Sequence, residues 1–466
     1  MQILSFRQAN HLKKKRTTTM TYPEIVNLVF TIIVTLLSLP ILHLMVFSVV
    51  GVFAYKKYPQ AKKTRKFGIV ISARNEEKVI ANLVESIRKN KYPQDLLTVF
   101  VVAHNCDDNT AANARNAGAI VYEYNNDKER MKGYALKHLF ECIERDYGTL
   151  SFDGFVFFDA DNILTENYIA KMNDAFEYYD EKCIIIGYRN SKNFAQNVVS
   201  GMYGVSFAQC NVTEYRGRTL CNCSCRVSGT GFMVSSQVMK DGWNYVTITE
   251  DLEFTADQIL NGVKVRYCEE AVFYDEQPTS VRVMLRQRLR WAKGSLMVLG
   301  TRAGKLFRGI FNPKSKTKGS TYDIWAYILP YAVISLCLGI LKTFLLSPIF
   351  GVPLWEGLTF WEYVAKNWLV WLVSALSMYL LPVAQAIVVF IVARDKMPKM
   401  SFGKKLLITL CYPFYTFIAL PLAVVALFKK VEWKPIPHKE AVTHEALNSP
   451  VAATVAKHGK HNKKKK

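Results

Sequence analysis

Four nearly charge-free apolar runs, residues 25–55, 324–341, 367–393 and 406–428, set the first limit on this chain, because each is long enough to cross the hydrocarbon core of a bilayer. The chain is therefore read as an integral membrane protein. The first run is not a cleaved signal peptide: its apolar stretch is about twice the usual length, and no small-residue cleavage site follows it. Between the first run and the second lies a polar region of a size that folds as one domain with its own core.

The formal net charge of +22 would point to nucleic acid if it were spread evenly. It is not. Residues 67–302 carry a slight acidic excess, and the positive charge clusters at 13–16, 56–66, 302–318, 396–405 and 463–466, beside the apolar runs. Such flanks favour a cytoplasmic, anionic leaflet, so no nucleic-acid partner is expected. The chain has ten cysteines, and Cys221, Cys223 and Cys225, with Cys210 upstream, have CxCxC spacing rather than the CxxC knuckles of structural zinc. They read as reduced thiols in a cytosolic domain, with a zinc site or redox pair as the other possibility.

Within the polar region, FGIVISA (67–73), LTVFVVA (97–103), AIVYEY (119–124) and GFVFFDA (154–160) are β-rich and bounded by turn residues. Helical stretches at 76–90 and 133–146 separate them. This alternation predicts an α/β fold, a Rossmann-like doubly wound, mostly parallel sheet. The expected order is a basic N-terminal segment (1–24), a membrane helix (25–55), the α/β domain (65–299), an amphipathic interfacial segment (300–322), about three membrane helices (323–428) and a basic tail (429–466), disordered at its end.

Ligands of such sheets bind beyond the carboxyl ends of the strands. Those ends carry Ala73, Arg74, Asn75 and Glu76, then His104 to Asp108, then Asp159 and Asp161, so polar and acidic groups converge on one edge. Asn75, Asp108 and Asn109 serve equally as ligands or as caps. Asp159 and Asp161, two apart after a continuous apolar strand, can aim at one point, and their oxygens suit Mg2+ or Mn2+ bound with a diphosphate. Glu250 and Asp251 form a second acidic pair before an amphipathic helix, where one carboxylate can deprotonate an acceptor hydroxyl; the alternative is a capping arrangement from Thr249 to Glu253. Arg288, Arg290 and Lys293 can face a diphosphate, whereas Arg286 and Arg288 also suit lipid headgroups. Trp291 is an interfacial anchor or a platform for a sugar ring.

The ARNEE start, the DAD turn, SGTGF (228–232), the TED triplet and QRLRW, a QxxRW pattern, stand in the order found in membrane-integrated family 2 glycosyltransferases. The chain resembles bacterial cellulose, hyaluronan and poly-N-acetylglucosamine synthases over about residues 67–299 and the flanking spans. The resemblance implies a GT-A domain that binds a UDP-sugar and a divalent metal and inverts the anomeric centre in one displacement. It implies that Asp161 ligates the metal, that Asp159, Ala73, Arg74, Glu76, His104, Lys132 and Arg290 hold the nucleotide sugar, and that Asp251, beside Glu250, is the general base. Gly229, Thr230, Gly231, Phe232, Gln287 and Trp291 would bind the acceptor.

One departure is His104, which stands where many relatives carry an aspartate that accepts a hydrogen bond from uracil; a neutral imidazole can accept it instead, or Asp107 or Asp108 through a shifted loop. Another concerns topology. Three spans after a cytosolic domain would put the Lys-rich tail outside, against the positive-inside trend; the tail, with the Trp-containing segment 431–438, is expected on the cytosolic face, so that either one apolar run is not a full crossing or a further crossing lies within residues 322–361, which carry Pro330, Pro348 and Pro353.

The leading expectation is a processive β-glycosyltransferase of the plasma membrane, multi-pass and with its catalytic domain cytosolic, using UDP-N-acetylglucosamine or UDP-glucose to extend a cell-surface polysaccharide. Its partners would be the donor, the growing glycan, the bilayer and any accessory subunits. The rival expectations are single transfer to a lipid acceptor and, remotely, a non-catalytic transporter or scaffold, which would line its spans with charge. Motifs leave the sugar and linkage open, because pocket shape decides both.

Overall fold

The computed structural model describes residues 20–180 and 182–431. The basic cluster at 13–16, the segment from 432 to 438 and the terminal lysines lie outside the described residues. Two compact units divide the chain, one of residues 1–39 and 331–372 and the other of residues 40–330 and 373–466. In the smaller unit the Tyr22 hydroxyl donates to the Leu345 carbonyl at 3.0 Å, and Tyr22 stacks on Phe350 with centroids 6.2 Å apart.

The larger unit is built on an eight-stranded sheet in the order β3-β2-β1-β4-β7-β6-β8-β5. The strands are β1 (Phe67–Ala73), β2 (Leu97–His104), β3 (Ile120–Tyr124), β4 (Gly154–Asp159), β5 (Ile163–Leu164), β6 (Ile184–Ser191), β7 (Phe232–Ser235) and β8 (Val265–Asp275). β1 lies between β2 and β4 in parallel register, with Ser72 beside Asp159 and Ala73 beside Ala103. Four ladders are parallel (β1–β2, β1–β4, β2–β3, β6–β8) and three antiparallel (β4–β7, β5–β8, β6–β7), so the curled sheet is mixed.

Strand residues alternate between two apolar layers, as the two-residue side-chain period requires. Phe67, Ile69 and Ile71 of β1 pack with Leu83, Val84 and Ile87 on one face. Val70 packs on the other with Phe100, Leu136, Leu139 and Phe140. The helix Lys132–Asp146 belongs to this second layer and starts with the residue that enters the candidate site.

Among the described residues three helices are long and apolar enough to cross a membrane, Tyr22–Phe53, Trp368–Val392 and Phe402–Phe428, and the broken pair Lys318–Ile328 and Val333–Leu345 makes a fourth if it is one span. The break coincides with Pro330. Leu329 before it is extended, as a residue preceding proline prefers, and proline has no N–H to continue the helix. The helix that carries QxxRW runs unbroken over Val281–Ile310, past the expected change at residue 300. Its far half is held by packing: Val298 and Leu306 are buried against Leu252, Ile259 and Ile324.

Gly133 fixes how closely the helix Lys132–Asp146 approaches the chain in front of it. A Cβ there would collide with the Tyr245 carbonyl oxygen and the Val246 backbone. Alanine has the better helix propensity, so the sign of the Gly133→Ala effect separates propensity from packing. The expected outcome is destabilisation by about 1–3 kcal/mol from overpacking, read as a lower Tm of the detergent-solubilised protein; an unchanged or higher Tm would refute the close approach.

Candidate active site

A cleft of about 470 Å³ opens at the carboxyl ends of β1, β2 and β4 and extends along the helix Val281–Ile310. It gathers Ala73, Arg74, Glu76, His104, Lys132, Asp159, Asp161, Gly229, Glu250, Asp251, Gln287, Arg290 and Trp291 on one wall or another. Residues expected from five separate motifs thus share one cavity.

Lys132, the first residue of its helix, forms an ion pair with Asp159 and donates to the Gly229 carbonyl at 2.8 Å. Burial works to lower the Lys132 pKa, but Asp159 and Glu250 outweigh it and the net direction is up, so the ammonium is retained. The Asp159 N–H donates to Thr230 Oγ1 at 2.9 Å, which ties the DAD turn to the glycine-containing loop. Asp161 is buried; its Oδ2 accepts the Glu276 N–H at 2.8 Å and its Oδ1 accepts from Asn162 at 3.2 Å. Each carboxylate oxygen has two acceptor positions, so Asp161 keeps capacity for a hard cation. Among the described residues no three of His, Cys, Asp and Glu are arranged to hold a metal. The donor set fits Mg2+ or Mn2+ in the manner in which one or two carboxylates share the ion with substrate phosphates.

Glu250 and Asp251 open the helix Glu250–Leu260. The Thr249 side chain makes no cap bond and its hydroxyl is buried without a partner, while Glu253 accepts from Thr247 at 2.8 Å and from Arg302 at 2.7 Å. The capping alternative is therefore not formed. Burial and the neighbouring Asp251 push Glu250 up to about 7, with Lys132 and Arg290 opposing. Burial also raises Asp251, against the Leu252 N–H, which donates to its Oδ1 at 2.8 Å. Both carboxylates are half-buried and adjacent in the chain, and both are shifted up from the ordinary carboxylate range.

Arg290 lines the cleft and makes no hydrogen bond or ion pair with another described residue, leaving its guanidinium available to an anion. Gln287 Oε1 accepts from the Tyr203 hydroxyl at 2.6 Å, and Trp291 meets Tyr203 edge-on at 6.1 Å. Arg288 differs from the headgroup-binding expectation. It donates to the Tyr415 carbonyl and lies 3.9 Å from the Tyr415 ring centroid on the cleft wall, because the helix Phe402–Phe417 covers that face; Arg286 is exposed.

Three expected acceptor residues are not on the cleft wall. Thr230 is buried, with its hydroxyl engaged by Asp159 and Asn162; Gly231 turns the chain at φ +63° against the Phe273 ring; Phe232 is in β7, stacked on Phe157 at 4.5 Å. They build the wall from behind, and Gly229 alone of the four reaches the cavity. Asp108 accepts from the Thr110 and Glu77 N–H groups, and Asn75 from the Asp107 N–H, so the local structural role holds for both. His104 is buried, which lowers its pKa and keeps it neutral. Its Nε2 lies 2.7 Å from the Glu129 carbonyl oxygen, which can only accept, so this nitrogen carries the proton and Nδ1 is the acceptor. None of the ten cysteines is joined in a disulfide.

Several groups escaped the sequence reading. Arg189 of β6 reaches the cleft, donates to Asp275 at 2.7 Å and to the Ser228 carbonyl at 3.0 Å, and is covered by Phe207 at 3.9 Å. Burial and nearby Asp161 raise Asp275 to about 6 against that arginine. The helix Val198–Gln209 continues into a π-helix, Cys210–Tyr215, which lines the cleft with Cys210 and Tyr215. Widened turns of this kind occur often at functional sites.

The raised Glu250 carboxyl sets a sign: shifted in the folded protein from 4.5 to about 7, it costs stability that grows as pH rises above the unfolded value, is complete above the folded one and vanishes as pH falls through the unfolded one. Glu250→Gln is expected to raise Tm at pH 8 and to lose that gain at pH 5. A Tm gain independent of pH would contradict that shift.

A family model described as glycosyltransferase like family 2 matches residues 64–294. The probable glycosyltransferase YdaM of Bacillus subtilis (strain 168) is 21% identical over 379 residues, covering 80% of this chain and 84% of that relative. The poly-beta-1,6-N-acetyl-D-glucosamine synthase of Staphylococcus epidermidis is 20% identical over 234 residues, 49% of this chain and 54% of the synthase, so the match spans about half of that protein. Among solved structures, the mannosyltransferase PcManGT from Pyrobaculum calidifontis, in complex with GDP-Man and Mn2+, superposes with a TM-score of 0.51 at 14% identity, covering 87% of this chain and 99% of that one; this likeness is one of fold. Family match and cleft agree: residues 64–294 of this chain are a family 2 glycosyltransferase domain of GT-A fold, in a protein that has three helices, among the described residues, long and apolar enough to span a membrane.

Proposed function

We propose that this protein is a membrane-bound inverting glycosyltransferase that extends a β-linked cell-surface polysaccharide from a UDP-hexose, UDP-N-acetylglucosamine or UDP-glucose. The observation that carries the reading is the meeting of Asp251, Lys132, Asp159, Asp161 and Arg290 in one cleft. Similarity to a polysaccharide synthase, and the QxxRW helix beside apolar spans, favour a growing chain as acceptor over a single lipid.

In this reading Lys132 and Arg290 hold the diphosphate and offset the charge that develops as it leaves. Asp161, with Asp159 near it, would hold a divalent cation, which supplies further charge neutralisation at the diphosphate; the fold neighbour was itself solved with a nucleotide sugar and Mn2+. The acceptor hydroxyl bonds to the anomeric carbon as the bond to the diphosphate oxygen breaks, and its proton passes to Asp251. Burial and the Asp251 charge push the neighbouring Glu250 up to about 7. Gln287 and Trp291 orient the acceptor sugar, Trp291 by an apolar face that suits a pyranose ring. His104 Nδ1 accepts from the base. The catalytic domain is cytosolic and the protein belongs to the plasma membrane in this reading.

Asp251→Asn retains size and loses the proton acceptor. Transfer is expected to fall by about 10²- to 10⁴-fold while UDP binding by calorimetry remains. Substantial turnover by that variant would remove Asp251 from the role of base.

A further inference from the structure

Beyond Trp291 the cleft continues toward the helix Lys318–Ile328, and there it is lined by Tyr327, Arg226 and Ser295. Tyr327 is 42% exposed although it stands on a cavity wall, and its hydroxyl has no hydrogen bond among the described residues. The Arg226 guanidinium lies 4.2 Å from its ring centroid and therefore covers one face. Arg226 is in turn paired with Glu214, which also pairs with Arg218 at 3.3 Å, and Arg218 with Asp323 at 2.7 Å. Asp323 is on the same helix as Tyr327, so the chain of ion pairs joins Arg226 to the helix that carries the ring. The phenol stands on the wall of the cavity that holds Asp251 with no hydrogen-bond partner among the described residues, and one face of its ring is backed by a guanidinium.

We infer that Tyr327, backed by Arg226, is a sugar-binding platform that holds the acceptor one residue beyond the hydroxyl under attack, and so sets how firmly the enzyme keeps a glycan between transfers. The inference rests on the glycosyl transfer proposed above. The chemistry suits a neutral pyranose: an aromatic face packs on the C–H side of the ring while the phenol exchanges hydrogen bonds with its hydroxyls. Arg226 is already neutralised by Glu214, which makes the subsite a poor fit for an anionic acceptor. Sequence gave no sign of it, since Tyr327 lies in an apolar run.

The test uses the full chain in detergent, with UDP-N-acetylglucosamine and, in parallel, UDP-glucose, and a short β-linked N-acetylglucosamine oligomer as acceptor. UDP release without acceptor and transfer to the oligomer are measured separately. Tyr327→Ala is expected to raise the acceptor KM about 3- to 10-fold, with the donor KM and acceptor-free UDP release within about twofold of wild type. Tyr327→Phe, which keeps the ring and carries the test if the alanine variant does not fold, should show a smaller rise in acceptor KM alone. An unchanged acceptor KM, or equal shifts in donor and acceptor KM, would overturn the platform. A wild-type protein that releases UDP from neither donor would overturn the donor reading instead, and is seen before any acceptor is added.

Discussion

Two adjacent carboxylates, Glu250 and Asp251, stand half-buried at the start of one helix, and the placement of much else around the cleft follows from tolerating them. Loss of solvent favours their neutral forms, and Asp251 further disfavours ionisation of Glu250. The fold counters this with Lys132 from a helix start on the sheet edge and with Arg290 from the helix Val281–Ile310. Lys132 in turn needs Asp159 and the Gly229 carbonyl to remain charged. The acidic pair, the DAD turn and the QxxRW helix are therefore one electrostatic unit. Close backbone approach, which only glycine permits at position 133, is part of the same arrangement.

That unit explains how groups remote in sequence act at one place. Strand ends supply groups at fixed heights on the sheet edge, because Ser72 and Asp159 are register partners. The helix Val281–Ile310 closes the cavity from the other side with Gln287, Arg290 and Trp291, and its own position depends on apolar contacts at Val298 and Leu306. A partly buried network of Arg226, Glu214, Arg218, Asp323 and His43 then ties the cleft wall to the first long apolar helix; His43 Nε2 lies 2.7 Å from Asp323. Removing one member of such a network strands a charge without a partner, which is costly, so these residues hold geometry more than they add stability.

The parallel half of the sheet was legible because β1, β2, β3 and β4 are continuous apolar runs bounded by turn residues, and their ends carry the acids that matter. The other half was not. β7 has four residues and β5 two, and each is a strand only because a distant partner pairs with it. Asp159, Asp161, Glu250, Asp251, Gln287, Arg290 and Trp291 could be placed together from motif order alone. Thr230, Gly231 and Phe232 could not be sorted by that route, since a glycine needed for a backbone turn and one that faces substrate look alike in sequence. Arg189 and Asp275 stand 86 positions apart, so nothing local announces their contact. Arg288 read as a headgroup ligand because the covering helix, Phe402–Phe417, is far along the chain.

The central claim is that this cleft builds a polymer from a UDP-hexose. Incubating purified full-length protein with radiolabelled UDP-N-acetylglucosamine or UDP-glucose and Mg2+ or Mn2+, then sizing the products, tests it most directly. The account predicts a ladder of increasing glycan length that the Asp251→Asn variant does not make. A single labelled glycolipid, or no transfer from either donor, would contradict it.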